Sequence, residues 1–227
     1  MYFEFSIALK ASLKLTISNK LKPSITTCGE ADVEDADLVV FIGGADVDPS
    51  LYNQETLPIS STNRARDDLE EEVYKKCVDL NIPMFGICRG AQFLHVMNGG
   101  ELWQDVDNHA GRDHFIIDTE EDVRIQANSF HHQMIMLNSN IEVLAVCEDR
   151  ISTSFKSPDF ILNLSRVGTN SPTEIEIEAG YYEETQCLFV QGHPEVGCDQ
   201  YKSWCMTKLY DFLLEWEDIN NTLVERD

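Results

Sequence analysis

The stretch Ile82-Pro83-Met84-Phe85-Gly86-Ile87-Cys88-Arg89-Gly90-Ala91-Gln92-Phe93-Leu94 decides the fold. Apolar residues run into a small-residue break and then into a helical pattern. This reads as a buried strand, a sharp turn carrying Cys88, and a helix. A side chain at such a corner projects from the carboxyl end of a strand, where open α/β sheets place their ligands. Its sulfur faces the amino end of a helix, where unpaired N–H groups favour a thiolate. A cysteine taken at random is more often a small core residue. Gly86 and Gly90 on either side argue for the corner, because they remove bulk where a substrate and a tight backbone approach each other.

Outward from this turn, Leu38-Val39-Val40-Phe41-Ile42 is a continuous apolar run that ends in Gly43-Gly44, as expected of a strand buried on both faces and followed by a loop. Arg66 to Leu80 has helical spacing, with Leu69, Val73, Cys77 and Leu80 on one face and Glu70, Glu71, Glu72, Lys75 and Lys76 covering the other. Strand, helix and strand then form a crossover unit with parallel strands. Further on, His114 to Asp118, Val123 to Ala127, Ile141 to Cys147 and the alternating Glu174 to Tyr181 are expected strands. Asn128 to Gln133 lies in a loop between two of them. Cys187 to Val190 is a buried strand, followed by the loop Gln191-Gly192-His193-Pro194-Glu195. Asp199 to Glu217 carries Trp204, Leu209, Phe212, Leu213 and Trp216 at helical spacing and is expected to pack as a helix. Asp149 to Thr173, rich in Ser, Thr, Asn and Pro, reads as a surface excursion with a short hairpin, and Glu30 to Asp37 as a solvated acidic connection. Tyr2 to Leu9 and Leu21 to Thr27 are the least legible, read as an edge strand and a second short strand.

The chain of 227 residues is long enough for one domain, residues 1–227, with a full core and no disulfide or metal support. Seven cysteines without a framework suit free thiols and a cytoplasmic location. Glu4, Lys10 and Lys14 interrupt the apolar start, which fits neither a signal peptide nor a membrane span. A formal net charge of -23 repels phosphate backbones and argues against nucleic-acid binding. His109, His114, His131 and His132 have the spacing of no common zinc motif, and neither Gly43-Gly44 nor Gly99-Gly100 has the pattern of a phosphate loop. The linear pattern therefore assigns no metal, no nucleotide and no other cofactor.

In a parallel sheet, loops after core strands gather at one edge, so the Gly43-Gly44 loop, the Cys88 turn and the His193 loop can meet. A thiolate nucleophile needs a base to move its proton and a partner to fix that base's tautomer, and His193 and Glu195, held on one turn by Pro194, supply both types.

Gly86-Ile87-Cys88-Arg89-Gly90-Ala91-Gln92, preceded by Gly43-Gly44-Ala45-Asp46-Val47-Asp48-Pro49 and followed by Gly192-His193-Pro194-Glu195, resembles the class I glutamine amidotransferase superfamily. Within it the chain is similar to the γ-glutamyl hydrolase branch, the peptidase C26 type. Arg66-Asp67, the run Asn98 to Asp105 and Asn128-Ser129-Phe130-His131-His132-Gln133 also resemble that branch, and the match runs in order from Leu38 to Val196. The resemblance implies an α/β fold, a three-layer flavodoxin-like open and mostly parallel sheet with helices on both faces. It implies a triad of Cys88 as nucleophile, His193 as base and acid, and Glu195 as orienting carboxylate. The oxyanion hole maps to the backbone N–H groups of Gly44 and Arg89. Gln92 and the backbone of Ser129, Phe130 and His131 map to contacts with the amino-acid end of a γ-glutamyl group. The implied reaction is cleavage of γ-glutamyl amide bonds of small molecules through a thioester, without cofactor, nucleic acid or membrane. Two other outcomes fit the same pattern: a glutaminase subunit passing ammonia to a synthetase partner, and a non-catalytic interaction protein on the same fold.

Overall fold

The structure is a computed structural model that describes residues 7–10, 24–27, 33–164, 168 and 175–224. Fourteen strands are described: β1 Ile7–Lys10, β2 Ser24–Thr27, β3 Leu38–Phe41, β4 Met84–Ile87, β5 Leu102–Trp103, β6 Asp105–Val106, β7 His114–Asp118, β8 Arg124–Ala127, β9 Met134–Ile135, β10 Glu142–Cys147, β11 Ser154–Lys156, β12 Ile161–Asn163, β13 Ile177–Tyr182 and β14 Cys187–Val190. The helices are α1 Arg64–Asp79, α2 Arg89–Met97 and α3 Asp199–Val224. The main sheet runs β2-β1-β3-β4-β14-β13-β10-β7-β8, and β12-β11-β6 and β5-β9 form two small sheets.

The apolar run of β3 is buried on both faces because alternate residues serve different layers. Val39, Phe41 and Met84 face Val73, Cys77, Phe93 and Leu94 of α1 and α2. Leu38, Val40 and Phe85 face Tyr201, Cys205 and Phe212 of α3. This is the expected three-layer α/β arrangement. Parallel pairing, however, is confined to β3/β4 and β4/β14, and the outer pairs are antiparallel. The crossover through α1 makes β3 and β4 parallel, whereas the short turn between β13 and β14 permits only antiparallel pairing.

Several boundaries and faces differ from the sequence reading. Asn63 caps α1, its side chain accepting from the Arg66 N–H at 3.2 Å. The buried face of α1 holds Arg66, Asp67, Glu70, Val73, Tyr74 and Cys77, while Leu69 and Leu80 are exposed. Charge pairing beneath the helix, described below, outweighs hydropathy there. The alternating acids do not face water: Glu176, just before β13, and Glu178 within it are buried. The excursion after Asp149 does contain a hairpin, β11/β12, yet it also pairs with β6 and seats fully buried Phe155 against Trp103. Val33, in the expected acidic connection, is a core residue. At the amino end β1 lies between β2 and β3, so β2 is the edge; the remainder of Tyr2 to Leu9 and of Leu21 to Thr27 lies outside the described residues.

Candidate active site

The elbow between β4 and α2 is built by backbone proximity. A Cβ on Gly86 would press on the Gly90 and Ala91 main chain, and one on Gly90 would overlap the Phe41 carbonyl. These two glycines therefore let α2 start directly against β3 and β4. Cys88 sits between them at φ 55° and ψ -113°, a left-handed φ that a non-glycine residue adopts only when its surroundings enforce it. The Cys88 N–H donates to the Val190 carbonyl at 2.9 Å, which pins the elbow to the end of β14. Since β14 leads directly into the His193 loop, the nucleophile candidate and the base candidate are set by the same strand pair.

Cys88, His193 and Glu195 come together at the sheet edge. His193 Nδ1 hydrogen-bonds Glu195 Oε1 at 2.6 Å, leaving Nε2 for the other side of the ring. That side faces Cys88: a Cβ built on Gly43 would lie 3.4 Å from His193 Nε2 and 3.6 Å from Cys88 Cβ. The imidazole is raised from 6.5 to about 10, first by its hydrogen bond with Cys88 and next by that with Glu195. Burial opposes ionisation of Glu195, but the His193 hydrogen bond and charge prevail and hold its carboxyl below the ordinary range. A histidine with a raised pKa contributes stability that is complete below about 6.5 and is lost as pH rises through about 10. The His193 ring in the whole protein should thus stay protonated through neutral pH in a side-chain NMR titration. Cys88→Ala should bring its midpoint down sharply, and Glu195→Gln by less; a midpoint unmoved by Cys88→Ala would mean that the thiol is not its main partner.

The Gly43-Gly44 loop is held from beneath by Arg66. Its Nη1 donates to the Gly43 carbonyl at 3.1 Å and its Nη2 to the Ile42 carbonyl at 2.9 Å. In a trans peptide the N–H points opposite to the carbonyl, so fixing the Gly43 carbonyl toward α1 aims the Gly44 N–H the other way. Gly44 has φ +148°, and a Cβ there would overlap the Arg66 guanidinium. Arg66 Nε in turn bonds Glu70 Oε1 at 3.0 Å, and Arg89 pairs with both Glu70 and Asp67. Asp67 Oδ2 also accepts from the Asp48 N–H at 3.0 Å. The two loops flanking Cys88 therefore share one buried charge network rooted in α1. The Arg89 N–H lies in the first turn of α2, where helix N–H groups lack partners within the helix.

Of the residues implied for substrate contact, Gln92 is buried and its Nε2 donates to the Gln133 carbonyl at 3.3 Å, tying α2 to the 128–133 loop. Phe130 is exposed and stands edge-on to the His193 ring at 5.5 Å. Ser129 and His131 are buried, their side chains turned toward His109 and the Gln133 carbonyl. His132 pairs with Asp46 at 3.2 Å. Asn128, given no role of its own in the sequence motif that contains it, brackets the His193 main chain: its Oδ1 accepts from the His193 N–H at 2.7 Å and its Nδ2 donates to the His193 carbonyl at 2.9 Å. A polar residue at the exit of β8 was the only hint of that role. The histidines whose spacing matched no zinc motif also meet: His109, His114 and Glu178 offer ligand atoms within 4.8 Å of one another.

The open α/β sheet is shared with a solved structure. A candidate GMP synthase component from Thermoplasma acidophilum superposes with TM-score 0.54 at 16% identity, over 85% of this chain and 80% of that one. The family model described as Peptidase C26 matches residues 26–164, more than half of the chain, and the chain belongs to that family. It is similar to the glutamine amidotransferase-like protein YvdE of Lactococcus lactis, 33% identical over 44% of this chain and 50% of that protein. It is also similar to the gamma-glutamyl-CDP-amidate hydrolase of Campylobacter jejuni, 31% identical over 52% of this chain and 54% of that protein. The chain thus spans about half the length of these curated relatives. Among the described residues no helix is long and apolar enough to cross a membrane.

Proposed function

We propose that the protein is a cytoplasmic thiol hydrolase of γ-glutamyl amide bonds. The observation that carries this reading is the relay from Cys88 through His193 to Glu195, with Nδ1 committed to the carboxylate at 2.6 Å and the opposite side of the ring to the thiol. Cys88 Sγ, its proton held by His193, attacks the side-chain amide carbonyl and forms a C–S bond. The developing oxyanion is met by the Gly44 and Arg89 N–H groups, the first aimed by the Arg66 clamp. His193 gives its proton to the departing nitrogen, the C–N bond breaks, and a γ-glutamyl thioester remains. His193 then takes a proton from water, whose oxygen attacks the thioester; the C–S bond breaks, glutamate is released, and Cys88 Sγ is left with the proton again on His193. The amino-acid end of the substrate lies against Gln92 and the backbone of Ser129, Phe130 and His131. The relative named for hydrolysis of a γ-glutamyl-CDP-amidate supports the γ-glutamyl group as the acyl part.

The test is steady-state glutamate release by the isolated chain from glutamine and from γ-glutamyl amines. Turnover of an amine conjugate by the chain alone is the expected result. Negligible activity on both, restored by an added synthetase, would replace this reading with that of an ammonia-supplying subunit.

A further inference from the structure

Beneath the 128–133 loop, and apart from the Cys88 relay, four chain segments converge on the Glu178 carboxylate. His114 comes from β7, His109 from the turn before it, His131 from the loop and Glu178 from β13. His114 Nε2 lies 2.9 Å and His109 Nδ1 3.6 Å from Glu178 Oε1, and His131 Nε2 lies 3.9 Å from Glu178 Oε2. All four residues are buried, Glu178 at 1% exposure and His109 at 0%. We propose that His109, His114, His131 and Glu178 form a closed structural zinc site.

Three observations support a metal over a hydrogen-bonded network. First, His131 turns its other ring nitrogen outward, Nδ1 to the Gln133 carbonyl at 2.9 Å, and His109 Nε2 lies 3.3 Å from Glu176 Oε1. Ligating histidines are held in this way, one nitrogen on an outer partner and the lone pair of the other free for the ion. Second, His131 Nε2 and Glu178 Oε2 face each other with no hydrogen-bond partner, which a proton network would be expected to supply. Third, zinc held at about 2.0–2.1 Å by tetrahedral ligands spaces its donors about 3.3 Å apart; His114 Nε2 and His109 Nδ1 lie 2.9 and 3.6 Å from Glu178 Oε1, His131 Nε2 lies 3.9 Å from Glu178 Oε2, and the donors of His109, His114 and Glu178 are all within 4.8 Å of one another. Three imidazoles and one carboxylate suit zinc, and four protein ligands leave no position for water, so the ion would have a structural role. It would join β7 and β13 to the loop whose Asn128 holds the His193 main chain.

Zinc bound at the cysteine elbow is the competing explanation for any metal found, so the test uses both wild type and Cys88→Ala, full chain, purified from zinc-supplemented cells without chelator. Metal content by plasma mass spectrometry should be about one zinc per chain in both. Cobalt exchanged into Cys88→Ala should show tetrahedral ligand-field bands without sulfur-to-metal charge transfer, and Glu178→Gln should retain less than about a tenth of the metal. If Glu178→Gln does not fold, the wild-type and Cys88→Ala arms decide. Folded wild type and Cys88→Ala with less than about a tenth of an equivalent would overturn the site, as would metal lost in Cys88→Ala but kept in Glu178→Gln.

Discussion

Replacing Cys88 by alanine is expected to remove turnover by a factor on the order of 10⁴ or more, with the urea unfolding midpoint nearly unchanged. The thiol supplies the bond that divides the reaction into two steps, and no neighbouring group can replace it. His193→Ala should cost nearly as much, because both proton transfers run through its ring. Glu195→Gln should cost less, about 10²–10³-fold, since the carboxylate only orients and stabilises the imidazolium. Its side chain is half exposed, so water can partly take its place. The order of damage is the discriminating quantity. Equal rates in wild type and His193→Ala would require another base, yet His131 is buried against Gln133 and His132 is occupied by Asp46.

Arg89→Met is expected to be the most damaging change to stability, at about 3–5 kcal/mol in urea melts. Arg89 is 1% exposed, and its guanidinium lies 4.9 Å over the Phe93 ring while pairing with Asp67 and Glu70. Burial pulls its pKa down to about 10, which still leaves it charged at neutral pH. Without it two buried carboxylates remain, and Arg66 forms an ion pair with Glu70. Combining Arg89→Met with Asp67→Asn, which leaves Glu70 paired with Arg66, should recover much of the loss, because the cost comes from stranded charge more than from lost packing. A single-variant cost below about 1 kcal/mol would show that the network is solvated or dispensable.

The legible part of the fold was its apolar part. β3, β4 and β14 are continuous hydrophobic runs because both their faces are covered, and α3 carries part of its packing stripe openly in Trp204, Leu209, Phe212 and Leu213. The catalytic candidates were legible for a related reason: Cys88 and His193 each stand directly after such a run, where topology rather than local pattern brings them together. Hydropathy failed where burial is polar. Glu70, Asp67, Glu176 and Glu178 look like surface residues in a linear pattern, and partners that the pattern does not reveal, Arg89, Arg66, His109 and His114 among them, account for their burial. Antiparallel pairing of the outer strands was missed because strand direction depends on connection geometry, which alternating residues do not record.

The relay at Cys88 is tested most directly by labelling the whole protein with a glutamine-like electrophile and mapping the modified residue by mass spectrometry. Among the described residues the free thiols are Cys77, Cys88, Cys147, Cys187, Cys198 and Cys205; burial raises Cys147, Cys187 and Cys205, and Cys198 is exposed with no histidine relay. Modification first and stoichiometrically at Cys88, slowed strongly by His193→Ala, is the expected result. Modification of Cys198 while Cys88 stays inert would contradict it.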